Sequence, residues 1–178
     1  MNGADALGEL RTSDRAEPVA AVRLPVVLVL DRLRSAFNVG NIFRLAEATG
    51  AERIVACGYT AAPPHAKLAK TARGCDRAVP CSRATSAAAA VLELKALGYQ
   101  VVAVETVAGA VPVWDAALAF PVAFVLGNEA LGIEAAALRL CDTAVCLPCF
   151  GRKNSINVGN CAAVVLYAAL RQWLARQV

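Results

Sequence analysis

Short apolar runs, separated by polar and glycine-containing segments, set the pattern of this chain. Residues 26–30 form a continuous apolar run of strand length, and 53–57, 100–104 and 122–126 read as further strands, two of them opening on the polar residues Arg53 and Gln100. A strand with one wet face alternates apolar and polar residues, so a continuous run predicts a strand covered on both faces. Shorter runs at 78–81 and 143–146 complete a set of six strands. Between them the spacing predicts helices over 39–49, 67–72, 86–97, 134–140 and 155–175. Gly50 and Gly98 follow two of these as stop signals. Ser86 and Asn154 are placed as N-caps, since their side-chain oxygens can accept from free first-turn N–H groups. Glu134 suits the positive end of a helix dipole. Strands alternating with helices predict one α/β domain, a mostly parallel six-stranded sheet flanked by helices, over residues 25–178. Residues 1–24 are polar and mixed and read as an N-terminal arm. The last helix is apolar on nearly all sides, with Val158, Cys161, Val164, Val165, Leu166, Tyr167, Leu170 and Leu174. Such a helix is buried around its circumference. The simplest partner for its second face is another copy of the chain, which predicts a homodimer through this helix.

Composition narrows the class. Hydrophobic residues make up 58% of the 178, yet no run approaches the ~18 residues of a membrane span, so no membrane partner is expected. The first residues carry Asp5, Glu9, Arg11, Asp14, Arg15 and Glu17 and do not read as a secretory signal. Seven scattered cysteines without such a signal point to reduced thiols and a cytoplasmic location. Cys146 and Cys149 form a C-x-x-C. A zinc site needs four ligands, and the single histidine, His65, lies far away in sequence. Buried free thiols are the plain reading, a redox or metal pair is the alternative, and no metal is expected. The net charge of +4 permits nucleic-acid binding.

Three polar stretches stand out. In the first, Asn38, Asn41 and Arg44 fall at spacings of three along a helix, opposite a buried face of Ile42, Leu45, Ala46 and Thr49. Gly40 is read as leaving the first turn open to a ligand. The stripe is either an anion site or a solvated helix face. In the second, an apolar strand runs into Gly127, Asn128 and Glu129 and then Gly132. Ligands of open α/β sheets bind at such strand ends, and a tight turn with a surface acid is the alternative. In the third, Leu147 and Pro148 lead through Gly151, Arg152 and Lys153 to Ser155 and Asn157 at a helix start, either a ligand site or simply a capped helix. No G-x-x-x-x-G-K-[ST] or post-strand G-x-G-x-x-G is present, which argues against nucleotide triphosphatases and dinucleotide dehydrogenases. With one histidine there is no Ser/His/Asp pattern.

Together and in this order, the three stretches resemble the SpoU (TrmH-like) RNA 2′-O-ribose methyltransferases of the SPOUT superfamily. Asn38, Gly40 and Arg44 match N-x-G-x-x-x-R. Gly127, Asn128, Glu129, Gly132 and Ile133 match G-N-E-x-x-G-[IL]. Leu147, Pro148, Gly151, Ser155, Ile156, Asn157 and Val158 match [IL]-P-x-x-G-x-x-x-S-[LI]-N-V. The similarity runs from about residue 26 to the C-terminus. Cys149 stands where methionine is common, Gly159 where serine is common, and residues 152–154 are more basic than usual.

The resemblance implies a deep trefoil knot near the C-terminus. It implies an S-adenosylmethionine pocket built from Glu105 and Thr106, from Leu126, Gly127, Asn128, Gly132 and Ile133, and from Cys146, Leu147, Pro148, Ser155, Ile156 and Asn157. It also implies a homodimer and methyl transfer to a ribose 2′-hydroxyl of structured RNA, transfer RNA first and ribosomal RNA second. Asn38, Arg44, Glu129, Ser155 and Asn157 are then the catalytic set. A guanidinium is a poor base, so Arg44 is expected to contact the ribose–phosphate and steer the hydroxyl, with Asn38 and Glu129 holding it in place. A catalytically idle RNA-binding relative is the competing reading from another class. Arg11, Arg15, Arg23, Arg32, Arg34, Lys67, Lys70, Arg73, Arg152 and Lys153 are candidates for phosphate contacts.

Overall fold

The structure is a computed structural model and describes residues 23–177. The polar arm expected over residues 1–24, with Arg11 and Arg15, lies almost wholly outside the described residues. Leu24 already belongs to the first strand.

The strands are β1 (Leu24–Asp31), β2 (Ala51–Cys57), β3 (Cys81–Ala84), β4 (Gln100–Val104), β5 (Val111–Pro112), β6 (Val122–Leu126) and β7 (Thr143–Cys146). The helices are α1 (Ala36–Thr49), α2 (Ala66–Ala72), α3 (Cys75–Ala78), α4 (Ala87–Ala96), α5 (Ala135–Leu138) and α6 (Val158–Leu174). All strands are parallel, in the order β3-β2-β1-β6-β4-β7-β5. The sheet thus has seven strands where six were expected. The seventh, β5, is two residues inside a polar loop and pairs with Val145 and Cys146, too short to leave a hydrophobic pattern.

The central strands explain the continuous apolar runs. Leu24, Val26, Leu28 and Leu30 point to a core shared with α1 and α6, while Val27 and Val29 point to a second core with α4 and α5. Successive side chains alternate between faces, so a strand buried on both must be apolar at every position.

Several boundaries move for identifiable reasons. The N-cap of α1 is Ser35, whose side chain accepts from the Asn38 N–H, so Asn38 lies inside the first turn. The cap of α6 is Asn157, not Asn154, and its side chain accepts from the Gly159 N–H at 2.8 Å. The helix begins where the buried register Val158, Ala162, Val165, Leu166 and Ala169 begins. Ser155 therefore stands in the preceding loop. Within the single chain α6 is buried on one side only. Val164, Tyr167 and Leu174 are exposed on the other, the face expected to meet a second copy of the chain.

Gly40 also differs from expectation. A Cβ there would stand 2.7 Å from the Leu68 carbonyl oxygen and 2.8 Å from Thr71 Cβ. The glycine admits the backbone of α2, not a ligand. No helix of the described residues is long and apolar enough to cross a membrane.

Candidate functional site

The C-terminal ends of β1, β4, β6 and β7 carry the polar groups. In parallel α/β sheets the strand ends at this rim face a crevice where strand order changes direction, and ligands collect there. Buried polar side chains fix the rim. Asp31, fully buried at the end of β1, pairs with Arg32 at 2.9 Å and accepts the Glu134 N–H at 2.7 Å. Thr60 donates to the Leu30 carbonyl and accepts the Leu33 N–H. Asn128, 4% exposed, donates to the Arg32 carbonyl and to the Tyr59 hydroxyl and accepts from the Ala130 and Leu131 N–H groups. Among the described residues no buried side-chain polar atom lacks a partner.

A cavity of about 490 Å³ opens at this rim. Glu105 and Thr106 line it after β4, and Leu126, Gly127, Asn128, Glu129 and Gly132 after β6. Cys146, Leu147, Ser155, Ile156 and Asn157 line it on the way to α6. Of the residues expected to hold the cofactor, two stand back from the wall. Ile133 is buried in the second core and contributes its N–H to Glu105 Oε2 at 3.0 Å. Pro148 lies outside the lining. Ala130 and Asn154 fall within the loops expected to hold the cofactor, 126–133 and 146–157, while sequence reasoning missed Val104, Val158 and Cys161 in the lining. Their neighbours in the motifs were the only signal available.

Gly127 needs its missing side chain. A Cβ there would fall on the backbone of Gly132 and Ile133, with the Gly132 carbonyl oxygen 2.9 Å away. Asn128 and Gly132 exchange backbone hydrogen bonds of 3.1 and 2.9 Å, which closes the loop into a tight turn, and Gly132 adopts φ 68°.

Glu129 ties this loop to α1. Its carboxylate accepts the Arg34 N–H at 2.8 Å, the Ser35 N–H at 3.1 Å and the Asn38 amide at 2.9 Å. Partial burial pushes its pKa up, but the donors from Arg34, Asn38 and Ser35 outweigh this and hold it below the usual carboxylate range. Asn38 in turn accepts from the Asn157 side chain at 3.2 Å. Glu129, Asn38 and Asn157, one residue from each motif, thus form a single chain of hydrogen bonds. Gly159 packs beside it, where a Cβ would approach Asn41 Nδ2 to 2.8 Å. A side chain there would require the Asn41 amide to shift.

Arg44 is placed differently. It is exposed on α1, does not line the cavity, and among the described residues has no hydrogen-bond or ion-pair partner. Glu129 and Asn38 hold each other rather than Arg44. Cys146 and Cys149 are free thiols, and their sulfurs approach the carbonyls of Ala110 and Leu147.

The fold of this chain is similar to that of solved SpoU methyltransferases. AviRb from Streptomyces viridochromogenes, solved with AdoMet, superposes with a TM-score of 0.77 at 28% identity, covering 84% of this chain and 60% of that one. The family model for the SpoU rRNA Methylase family matches residues 25–167, and the chain belongs to that family. Over 167 residues it is 30% identical to the 23S rRNA (guanosine-2′-O-)-methyltransferase RlmB of Vibrio parahaemolyticus, covering 94% of this chain and 67% of the relative. Over 148 residues it is 32% identical to RlmB of Ralstonia nicotianae, covering 83% of this chain and 59% of the relative. The chain therefore spans 59% to 67% of the length of these curated relatives.

Proposed function

We propose that the protein transfers a methyl group from S-adenosylmethionine to a ribose 2′-hydroxyl of structured RNA. The observation that carries the reading is the convergence of three sequence-distant motifs on one cavity through Glu129, Asn38 and Asn157.

The residues present fit the cofactor. Leu126, Leu147, Ile156 and Val158 offer apolar wall to a base, and the glycine-bearing turn after β6 offers bare backbone. The lining contains the acids Glu105 and Glu129 and no Lys, Arg or His, which suits a cationic ligand. When bound, S-adenosylmethionine supplies a methyl already activated on a sulfonium. The chain's own task is then positioning and charge control. Glu129 fixes the entry to α1 and the Asn38 amide, and Asn157 locks the start of α6 to both. Ser155 stands in the wall without a hydrogen-bond partner among the described residues and is free to meet a ligand. Arg44 is open to solvent on α1 and available to the ribose–phosphate of an RNA laid across that helix.

Transfer RNA is the first expected substrate. Ribosomal RNA is the second reading, favoured by the RlmB relatives, which are 23S rRNA (guanosine-2′-O-)-methyltransferases. The proposal includes a homodimer through the open apolar side of α6, supported by Val164, Tyr167 and Leu174, and a trefoil knot in the segment leading into α6. It also includes a cytoplasmic location, supported by seven free thiols. Labelled methyl transfer to bulk transfer RNA and to 23S rRNA, each lacking modification, tests the activity and separates the two substrates. Arg44→Ala should lower turnover by about two orders of magnitude or more while cofactor binding by titration is unchanged. Turnover that survives Arg44→Ala removes Arg44 from the site.

A further inference from the structure

We propose that α2 and its C-cap form a docking face for the phosphate backbone of the substrate RNA, beside Arg44; this rests on the reading of RNA as the substrate. Lys67, Lys70 and Arg73 are all exposed, while Leu68 and Ala72 turn inward. Residues 66–78 carry four cations, Arg77 being the fourth, and one acid, Asp76. Among the described residues the ion pairs are Arg32–Asp31, Arg53–Glu52 and Lys95–Asp142, so no cation of α2 is neutralised.

The charge of α2 is of one sign from end to end. Lys67 in its first turn, with no acid beside it, opposes the helix dipole, while Lys70 in the last turn and Arg73 at the C-cap accord with it. The cap is His65, whose Nδ1 accepts the Leu68 N–H at 3.3 Å.

The fold also brings this face to the right place. Gly40, the glycine of the first motif, lets the α2 backbone at Leu68 and Ala72 lie directly on α1. Arg44 follows one turn later on α1, which packs against both α2 and α3. Arg44 and the cations of α2 and α3 therefore stand on adjoining elements. Lysine and arginine contacts to phosphate position an RNA without reading its sequence, which leaves the choice of nucleotide to the cavity.

The test compares wild type with Lys67→Gln/Lys70→Gln/Arg73→Gln, and with Arg139→Gln on the exposed side of α5 as control. Binding to a fluorescein-labelled single-stranded RNA oligonucleotide and to bulk unmodified transfer RNA is measured across a salt series. Methyl transfer and cofactor titration are measured alongside. The triple variant should bind both RNAs on the order of tenfold more weakly, with the slope of log K against log salt shallower by about two to three. KM for RNA should rise with kcat and cofactor affinity unchanged, and Arg139→Gln should match wild type. An unchanged slope and affinity in the triple variant overturns the proposal, as does an equal loss in Arg139→Gln. A wild type that binds RNA but transfers no methyl to it instead overturns the enzymatic reading. In that case the salt slope still decides the role of α2.

Discussion

Glu129→Gln isolates the link between the second motif and the first. The carboxylate accepts three hydrogen bonds, with Oε2 taking Arg34 N–H and Oε1 taking Ser35 N–H and the Asn38 amide. Glutamine keeps one acceptor oxygen. If that oxygen serves Ser35 and Asn38, its NH₂ group faces the Arg34 N–H, donor against donor. A hydrogen bond to a charged group contributes about 1.5–3 kcal/mol. Glu129 is open to water, which can replace part of that interaction, so the net loss is about 1 kcal/mol. For a chain of this size such a loss lowers Tm by about 2–4 °C. The pH dependence gives a sharper check. The folded pKa lies below the ordinary value of 4.5, so the native state favours the charged form. That contribution is fully present above the unfolded pKa and is lost as pH falls through the folded one. The gap between wild type and Glu129→Gln, read by urea unfolding from neutral pH downward, should hold until about pH 5 and then shrink. Equal stability at neutral pH, or a gap that does not close on acidification, refutes the assigned network.

Three other perturbations probe separate parts of the molecule. Gly127→Ala places a methyl on the backbone of Gly132 and Ile133, where no side chain can yield. It should cost about 3 kcal/mol in urea unfolding and abolish cofactor binding by calorimetry. Val164→Glu/Tyr167→Glu should convert a dimer to monomers in light scattering without a change in circular dichroism. Cys149→Ser, which breaks the thiol pair outside the cavity wall, should leave methyl transfer unchanged, and a loss on mild oxidation of wild type that this variant escapes would point to a redox role.

Legibility in the sequence followed burial. β1, β2, β4 and β6 announced themselves because both faces are covered along most of their length, which leaves polar residues only near their ends, at Asp31, Glu52, Arg53 and Gln100. β3 sits at the sheet edge with Ser82 and Arg83 exposed, so its apolar signal is weak, and the preceding Ala78 proved to end a helix. The site was legible as three motifs but not as a network. Nothing local to Glu129 reveals that it reaches Arg34, 95 residues away. The stripe through Asn38, Asn41 and Arg44 failed for a geometric reason. Each step of three residues turns about 300°, so six residues carry Arg44 about 120° around the helix from Asn38. Asn38 consequently meets the lining residues Glu129 and Asn157, standing behind the cavity wall, and Arg44 is turned away from them.

Glu105 receives the Thr106 N–H on one oxygen and the Ile133 N–H on the other, and Thr106 Oγ1 donates to the Asn154 carbonyl. One acidic side chain and its neighbour therefore lash together all three segments that wall the cavity before anything enters it. An incoming molecule meets a receptor already assembled, so its association rate should track diffusion and access through the mouth, with little lag from rearrangement.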